Sequence, residues 1–201
     1  MSVDPSIKLL QERAWAYLEQ HLDKVYTYHN AAHAMEVCAA VEEFAPECNF
    51  TIFDLDALRL AAIFHDFGYL EASDNNESLA LPYLNEFASA CGIDRKLIEH
   101  AGTLIMETSF PYCPRSAAGK LLCDADIEYI GRSVFFRQAE LFRLELTLQG
   151  KSFTDLEWWQ YELDFLMQND FYTPICRRNR DAGKLENTEL VRQRIKAWQG
   201  S

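Results

Sequence analysis

Residues 28–37 read "YHNAAHAMEV", with two histidines four positions apart. In an α-helix each residue rises ~1.5 Å and turns ~100°, so His29 and His33 would share one face about 6 Å apart. Three readings are open: packing residues beside a core stripe, two metal ligands, or one ligand with one proton donor. His65-Asp66 closes the apolar stretch "LDALRLAAIFHDFGY". An unpaired carboxylate is costly there and a bound cation would compensate it, whereas the bland alternative is a pair open to water at a helix end. In "LLCDADIEYIG", Asp124 and Asp126 lie among Leu121, Leu122, Ile127 and Ile130. They too ask for a partner, unless one is exposed and the other caps a helix. Taken together, His33, His65, Asp66 and Asp126 supply two imidazoles and two carboxylates, a mixed set suited to Mn²⁺, Fe²⁺, Zn²⁺ or Mg²⁺.

The order His, then His-Asp, then Asp in a helical chain resembles the HD superfamily of metal-dependent phosphohydrolases, over most of the sequence. The resemblance implies that His33 in "HAMEV", His65-Asp66 in "AAIFHDFGY" and Asp126 in "ADIEYIG" are the four ligands. Its alanine-aspartate pair selects Asp126 over Asp124, which is left to orient a ligand. "YHNAAHA" is similar to the Y-H-N-x-x-H-A signature of class I cyclic-nucleotide phosphodiesterases. By that resemblance His29 protonates the leaving oxygen, His33 binds metal, and Asn30 is a candidate supporting or substrate contact. The chain departs from those enzymes after the pair, reading "HDFGYLEASDNNESLA" where they have H-D-x-x-H-P-G, and it is much shorter than their catalytic domains. No purine-recognising glutamine or lid is carried over. The segments "DNNESLA", "DADIEYIG" and "FYTP" instead resemble small bacterial HD phosphohydrolases, which makes Glu77 a candidate partner of a metal-bound water. Its bland alternative is a first-turn acid favoured by the helix dipole.

The expected activity is metal-dependent cleavage of a phosphoester in a small nucleotide or related metabolite, with a cyclic-nucleotide-like diester favoured by His29-Asn30. Such cleavage needs hydroxide at neutral pH, which a bound cation makes accessible, and a proton for the departing alkoxide. The cofactor is one or two divalent ions (Mn, Fe, Mg or Zn), because the two oxygens of Asp66 allow it to bridge a pair. Two rivals are a catalytically silent HD module that binds a nucleotide and regulates a partner, and an HD-type di-iron oxygenase. The first would be marked by a missing ligand, and none is missing; the second by additional histidines for the second iron.

Other candidates carry bland readings. His100, at the edge of an apolar helical stripe, is expected as a core or rim residue, with a phosphate contact or extra ligand the lesser reading. His21 continues a half-buried stripe. Lys120, Arg178 and Lys184 can steer phosphate, but spacing does not distinguish them from ordinary surface bases. In "EWWQYELDFL", Trp158, Tyr161 and Phe165 recur at helical intervals and are expected in the core.

The elements that must position these residues are all helical. Asp4-Pro5 opens a first helix, and a second begins near His29 and runs to the break at Pro46. A third follows Asp54 and stops at Gly68. A fourth is capped by Asn76 and ends at Gly92, with Pro82 predicting a kink or a later start, and a fifth is capped by Asp94. "SFPYCPRSAAG" reads as a loop that borders the site. Residues 119–149 form two helices meeting near Gly131. Two more lie at about 154–169 and 187–199, joined by the polar, basic "RRNRDAGKLENT".

With no β-alternation, the expected class is all-α, a single compact helical bundle of the HD type over 1–201. Its metal-site core is placed at about 26–135, with helices from about 136–201 packing on it. Hydrophobic residues make up 49% of the 201, a globular composition. The net charge of −12 disfavours a nucleic-acid polymer or an anionic membrane as partner, but not a small phosphorylated substrate. Six cysteines without C-x-x-C spacing, no signal-like start and no long apolar run predict a soluble, reduced, cytoplasmic protein. A homodimer is left open.

Overall fold

The computed structural model describes residues 3–199, which form α-helices and short 3₁₀ turns and no strand, as the sequence predicts. Among them no helix is long and apolar enough to cross a membrane. They cluster into two compact units, one up to Asp126 and one from Ile127 on.

The first unit holds α1 (Pro5–His21), α2 (Ala31–Phe44), α3 (Ile52–Phe64), α4 (Asn76–Ala90), α5 (Arg95–Met106) and nearly all of α6 (Ala117–Ile127). α3 is the central helix and packs against α1, α2, α4 and α5. Leu58, Leu60, Ala61, Ala62, Ile63 and Phe64 are all buried, which accounts for its apolar character all round. Its start lies earlier than expected. Thr51 is the N-cap, and Asp54 closes a capping box from the third helical position. α4 runs unbroken through Pro82, capped at Asn75 in the left-handed region (φ 58°). Asp94 caps α5 through Lys96 N–H at 2.9 Å, as its sequence signal indicates.

The second unit comprises a 3₁₀ turn (Glu128–Gly131), α7 (Phe135–Leu148), α8 (Asp155–Gln168) and α9 (Pro174–Gln199). Here the expected linker "RRNRDAGKLENT" is helix, inside α9. Its polar residues are fasteners rather than loop. Arg180 Nε is 2.6 Å from Glu128 Oε2, and Asn187 Nδ2 donates to the Ile130 and Arg132 carbonyls at 2.8 and 2.9 Å. A Cβ on Gly183 would run into the Gly131 carbonyl, so the absence of a side chain permits the approach. Trp158 is fully buried as expected. Tyr161, counted toward the core from its spacing, is 41% exposed, stacked on Trp158 with centroids 5.4 Å apart.

Candidate metal centre

Asn30 decides where α2 begins. Its Oδ1 accepts hydrogen bonds from Ala32 N–H at 2.9 Å and His33 N–H at 3.3 Å, and its Nδ2 donates to the Thr27 carbonyl at 2.9 Å. The helix therefore opens at Ala31, two residues later than predicted, with His33 in its first turn and His29 in the bend before it. Asn30 thus supports His33 through the backbone. Tyr28 is buried with its ring centroid 4.8 Å from that of His33.

α3 ends at Phe64, with His65 as its C-cap. A carbonyl only accepts, so the His65 Nδ1–H donates to Ala62 O at 3.1 Å and Nε2 is turned toward the centre. Asp66 follows in the sparsely populated bridge region (φ −104°, ψ 8°) and opens a 3₁₀ turn, Phe67–Leu70. Gly68 lies inside this turn and is no left-handed helix stop. A Cβ there would strike the Asn76 carbonyl, so glycine lets the turn lie against the start of α4. Asp126 comes from the last turn of α6.

These four side chains converge. His33 Nε2 lies 3.0 Å from Asp126 Oδ1, 3.4 Å from Asp66 Oδ2 and 3.4 Å from His65 Nε2. His65 Nε2 lies 3.3 Å from Asp66 Oδ2 and 3.5 Å from Asp126 Oδ1. Ligand atoms of His33, His65 and Asp66 all fall within 4.8 Å of one another, so the three can hold a metal ion. Both histidines are buried. Asp66 Oδ2 is buried and accepts no hydrogen bond, an orphaned acceptor whose desolvation a cation would offset.

The electrostatics follow from this crowding. Burial works against a charged His65, but the Asp66 and Asp126 carboxylates outweigh it and hold its pKa well above the ordinary imidazole value. Burial likewise opposes ionised Asp126 and Asp66, yet the facing histidines bring both below the usual carboxylate range, Asp126 well below.

The remaining predicted residues divide. His29 stacks flat on Tyr69 (centroids 4.3 Å apart, 13° between planes), and its ring centroid is 6.0 Å from that of His33. Its charge acts on Asp66, which places it beside the centre. Glu77, in the first turn of α4, is half-buried. Burial raises its carboxyl, and the Asp66 and Asp126 charges raise it further, so it also faces the centre. Asp124 is fully buried two residues before Asp126 and acts on the Cys48 and Cys123 thiols.

His100 is not brought to the centre. It lies 3.3 Å from Asp54 and stacks on Phe53, at the opposite end of α3 from His65. His65 lies eleven positions after Asp54, about 16 Å along a helix. Lys184 is paired with Asp170 at 2.6 Å.

One residue escaped the sequence reading. Tyr112 donates its phenolic O–H to Asp126 Oδ2 at 2.8 Å. The only hint lay in its loop, read from two prolines and a glycine and expected to border the site.

No protein-family model matches the chain, and no curated protein matches it. Among solved structures, a Lactobacillus plantarum protein is similar at 15% identity and TM-score 0.71, covering all of both chains. Bacillus subtilis YpgQ, crystallised in complex with ADP, is similar at 19% identity and TM-score 0.66, covering 96% of each. At these identities the likeness is one of fold.

Proposed function

We propose that the chain is an HD-type metal-dependent phosphohydrolase acting on a small nucleotide. The observation that carries this reading is the gathering of buried His33 and His65 with Asp66, which has one buried oxygen lacking any hydrogen bond, and with Asp126 3.0 Å from His33. Two nitrogens and two oxygens form a donor set acceptable to Mn²⁺, Fe²⁺, Zn²⁺ or Mg²⁺, and His33, His65, Asp66 and Asp126 are the residues to hold such an ion. When bound, a divalent cation lowers the pKa of water and offsets the charge of a phosphate.

The chain's own residues supply the rest. His65 is fixed by the Ala62 carbonyl so that Nε2 faces inward, and Asn30 fixes the turn that carries His33. His29, held flat against Tyr69 at the edge of the centre, is the general acid that gives a proton to the leaving oxygen. Glu77 is a half-buried carboxyl able to accept from a nucleophilic water.

The Y-H-N-x-x-H-A resemblance favours a cyclic phosphodiester. ADP in the YpgQ complex supports a nucleotide ligand and favours a second reading, cleavage in a linear nucleoside polyphosphate. The test is to load the chelated protein separately with each of the four metals and measure content. Turnover is then measured on cyclic nucleotides, nucleoside mono-, di- and triphosphates, and bis-(p-nitrophenyl) phosphate. Turnover of one class selects the substrate. Metal-loaded protein that binds nucleotide yet turns over none of them would overturn the enzymatic reading in favour of a binding module.

A further inference from the structure

The two carboxylates of the centre are held differently. Asp66 turns Oδ2 toward both imidazoles, and that oxygen accepts no hydrogen bond. Asp126 is gripped from two sides. Its Oδ1 lies against His33 and His65, while Oδ2 accepts the phenolic O–H of Tyr112 at 2.8 Å.

Tyr112 is presented by a braced loop. The Glu107 carboxylate, at the end of α5, accepts the backbone N–H groups of Arg115 and Ser116 at 2.7 and 3.0 Å. Ser116 then caps α6 through Gly119 N–H at 2.8 Å, and Cys123 Sγ donates to the Glu107 carbonyl at 3.2 Å. A Cβ on Gly119 would collide with the Glu107 carboxylate, so the bare glycine lets Glu107 reach the loop. The segment from α5 to Asp126 is thereby closed on itself, with the phenol aimed at one oxygen.

A carboxylate can offer a cation one oxygen or both. A strong O–H donor on one oxygen occupies one of its two lone pairs, lowers that oxygen's availability and fixes the carboxylate plane. From this geometry we infer that Tyr112 is a positioning residue of the metal centre, keeping Asp126 a one-oxygen ligand through Oδ1 and setting that oxygen against His33 and His65. The inference rests on reading His33, His65, Asp66 and Asp126 as a metal site.

The test compares full-length wild type, Tyr112→Phe and His33→Ala, each chelated and then titrated with Co²⁺. Affinity is read by competition with a chelating dye, and ligand geometry from the visible absorption of bound Co²⁺. Tyr112→Phe keeps the ring and removes only the hydroxyl. It is expected to weaken affinity about 10- to 100-fold, as loss of an outer hydrogen bond to a ligand typically does. Its absorption band should also be altered, because Asp126 can then offer both oxygens. Wild-type affinity in Tyr112→Phe, alongside lost binding in His33→Ala, would overturn the role of Tyr112 and leave the metal site standing. A weakened affinity with an unchanged band would overturn it too, since a merely structural residue behaves that way. Undiminished binding in His33→Ala would instead overturn the metal site itself.

Discussion

Helix α3 carries a histidine–aspartate contact at each end, and the two have the same separation. At its start His100 Nε2 lies 3.3 Å from Asp54 Oδ1, and at its end His65 Nε2 lies 3.3 Å from Asp66 Oδ2. The first pair is 30% and 34% exposed, the second 1% and 14%. Asp54 is already satisfied, because its other oxygen accepts from Thr51 N–H and the Thr51 hydroxyl in the capping box. These bonds, aided by His100, keep its carboxyl below the usual range. Asp66 instead shares its surroundings with a second imidazole and a second carboxylate, and its inward oxygen accepts nothing. A solvated pair of the first kind contributes roughly 0–1 kcal/mol. Two largely buried carboxylates facing two imidazoles make a costly arrangement that a cation would relieve. Separation alone therefore does not distinguish the two pairs; burial and the number of converging groups do.

The contrast is broken most completely by removing one histidine at each end. His33→Ala should abolish stoichiometric metal, measured as ions per chain by elemental analysis, while His100→Ala retains wild-type content. Equal loss in both would mean that the ends of α3 do not differ as argued. A finer division is expected within the centre. His29→Ala should keep its metal and lose turnover by about 10²- to 10⁴-fold, the usual contribution of a general acid. Metal loss matching that of His33→Ala would refute the separation of ligand from proton donor.

Proton linkage sharpens the same comparison. In the chelated protein the Asp66 and Asp126 carboxylates raise the pKa of His65 and so favour its charged ring, whereas a cation requires the neutral ring. Metal binding should thus release protons, visible as a calorimetric heat that depends on the buffer, and affinity should fall as pH falls. Stability follows from the same shifts. The contribution of His65 is complete below its unfolded value of 6.5 and is lost as pH rises through its higher folded value. That of Asp126 is present above its unfolded value of 3.8 and is lost as pH falls through its lower folded value. Chelated protein should accordingly be most stable between about pH 4 and pH 6.5, and thermal melts across pH would reveal a different window. The smallest effect belongs to the solvated end. Asp54→Asn should cost about 1 kcal/mol of stability, as a weakened helix cap does, with metal affinity unchanged. A chemical-denaturation midpoint and a metal titration together check this.

Much of the local architecture was legible because it is decided within a turn or two of chain. Asp4 and Asp94 cap the helices they were expected to cap, and the apolar stretch before His65 is the central helix. The errors were also local contests. Thr51 caps α3 and draws Asp54, after which the helix was expected to begin, into its first turn through the capping box, and Asn30 took the cap that placed His29 outside α2. The polar run in α9 looked like a loop because its partners, Glu128 and the Ile130 and Arg132 carbonyls, lie some fifty residues away.

For the centre, the order His, His-Asp, Asp and the apolar segments around them nominated His33, His65, Asp66 and Asp126 from among five histidines and 31 acids. Whether they meet was settled only by packing, which brings residues 93 positions apart to 3.0 Å. The same packing excluded His100, an equally suitable imidazole, by placing it at the far end of α3. It also recruited Tyr112, whose hydroxyl carries no metal-site signal in sequence. Caps and periodicity act through nearby backbone groups and can be read along the chain. Burial and convergence depend on which helices share a core, and that is a property of the folded molecule.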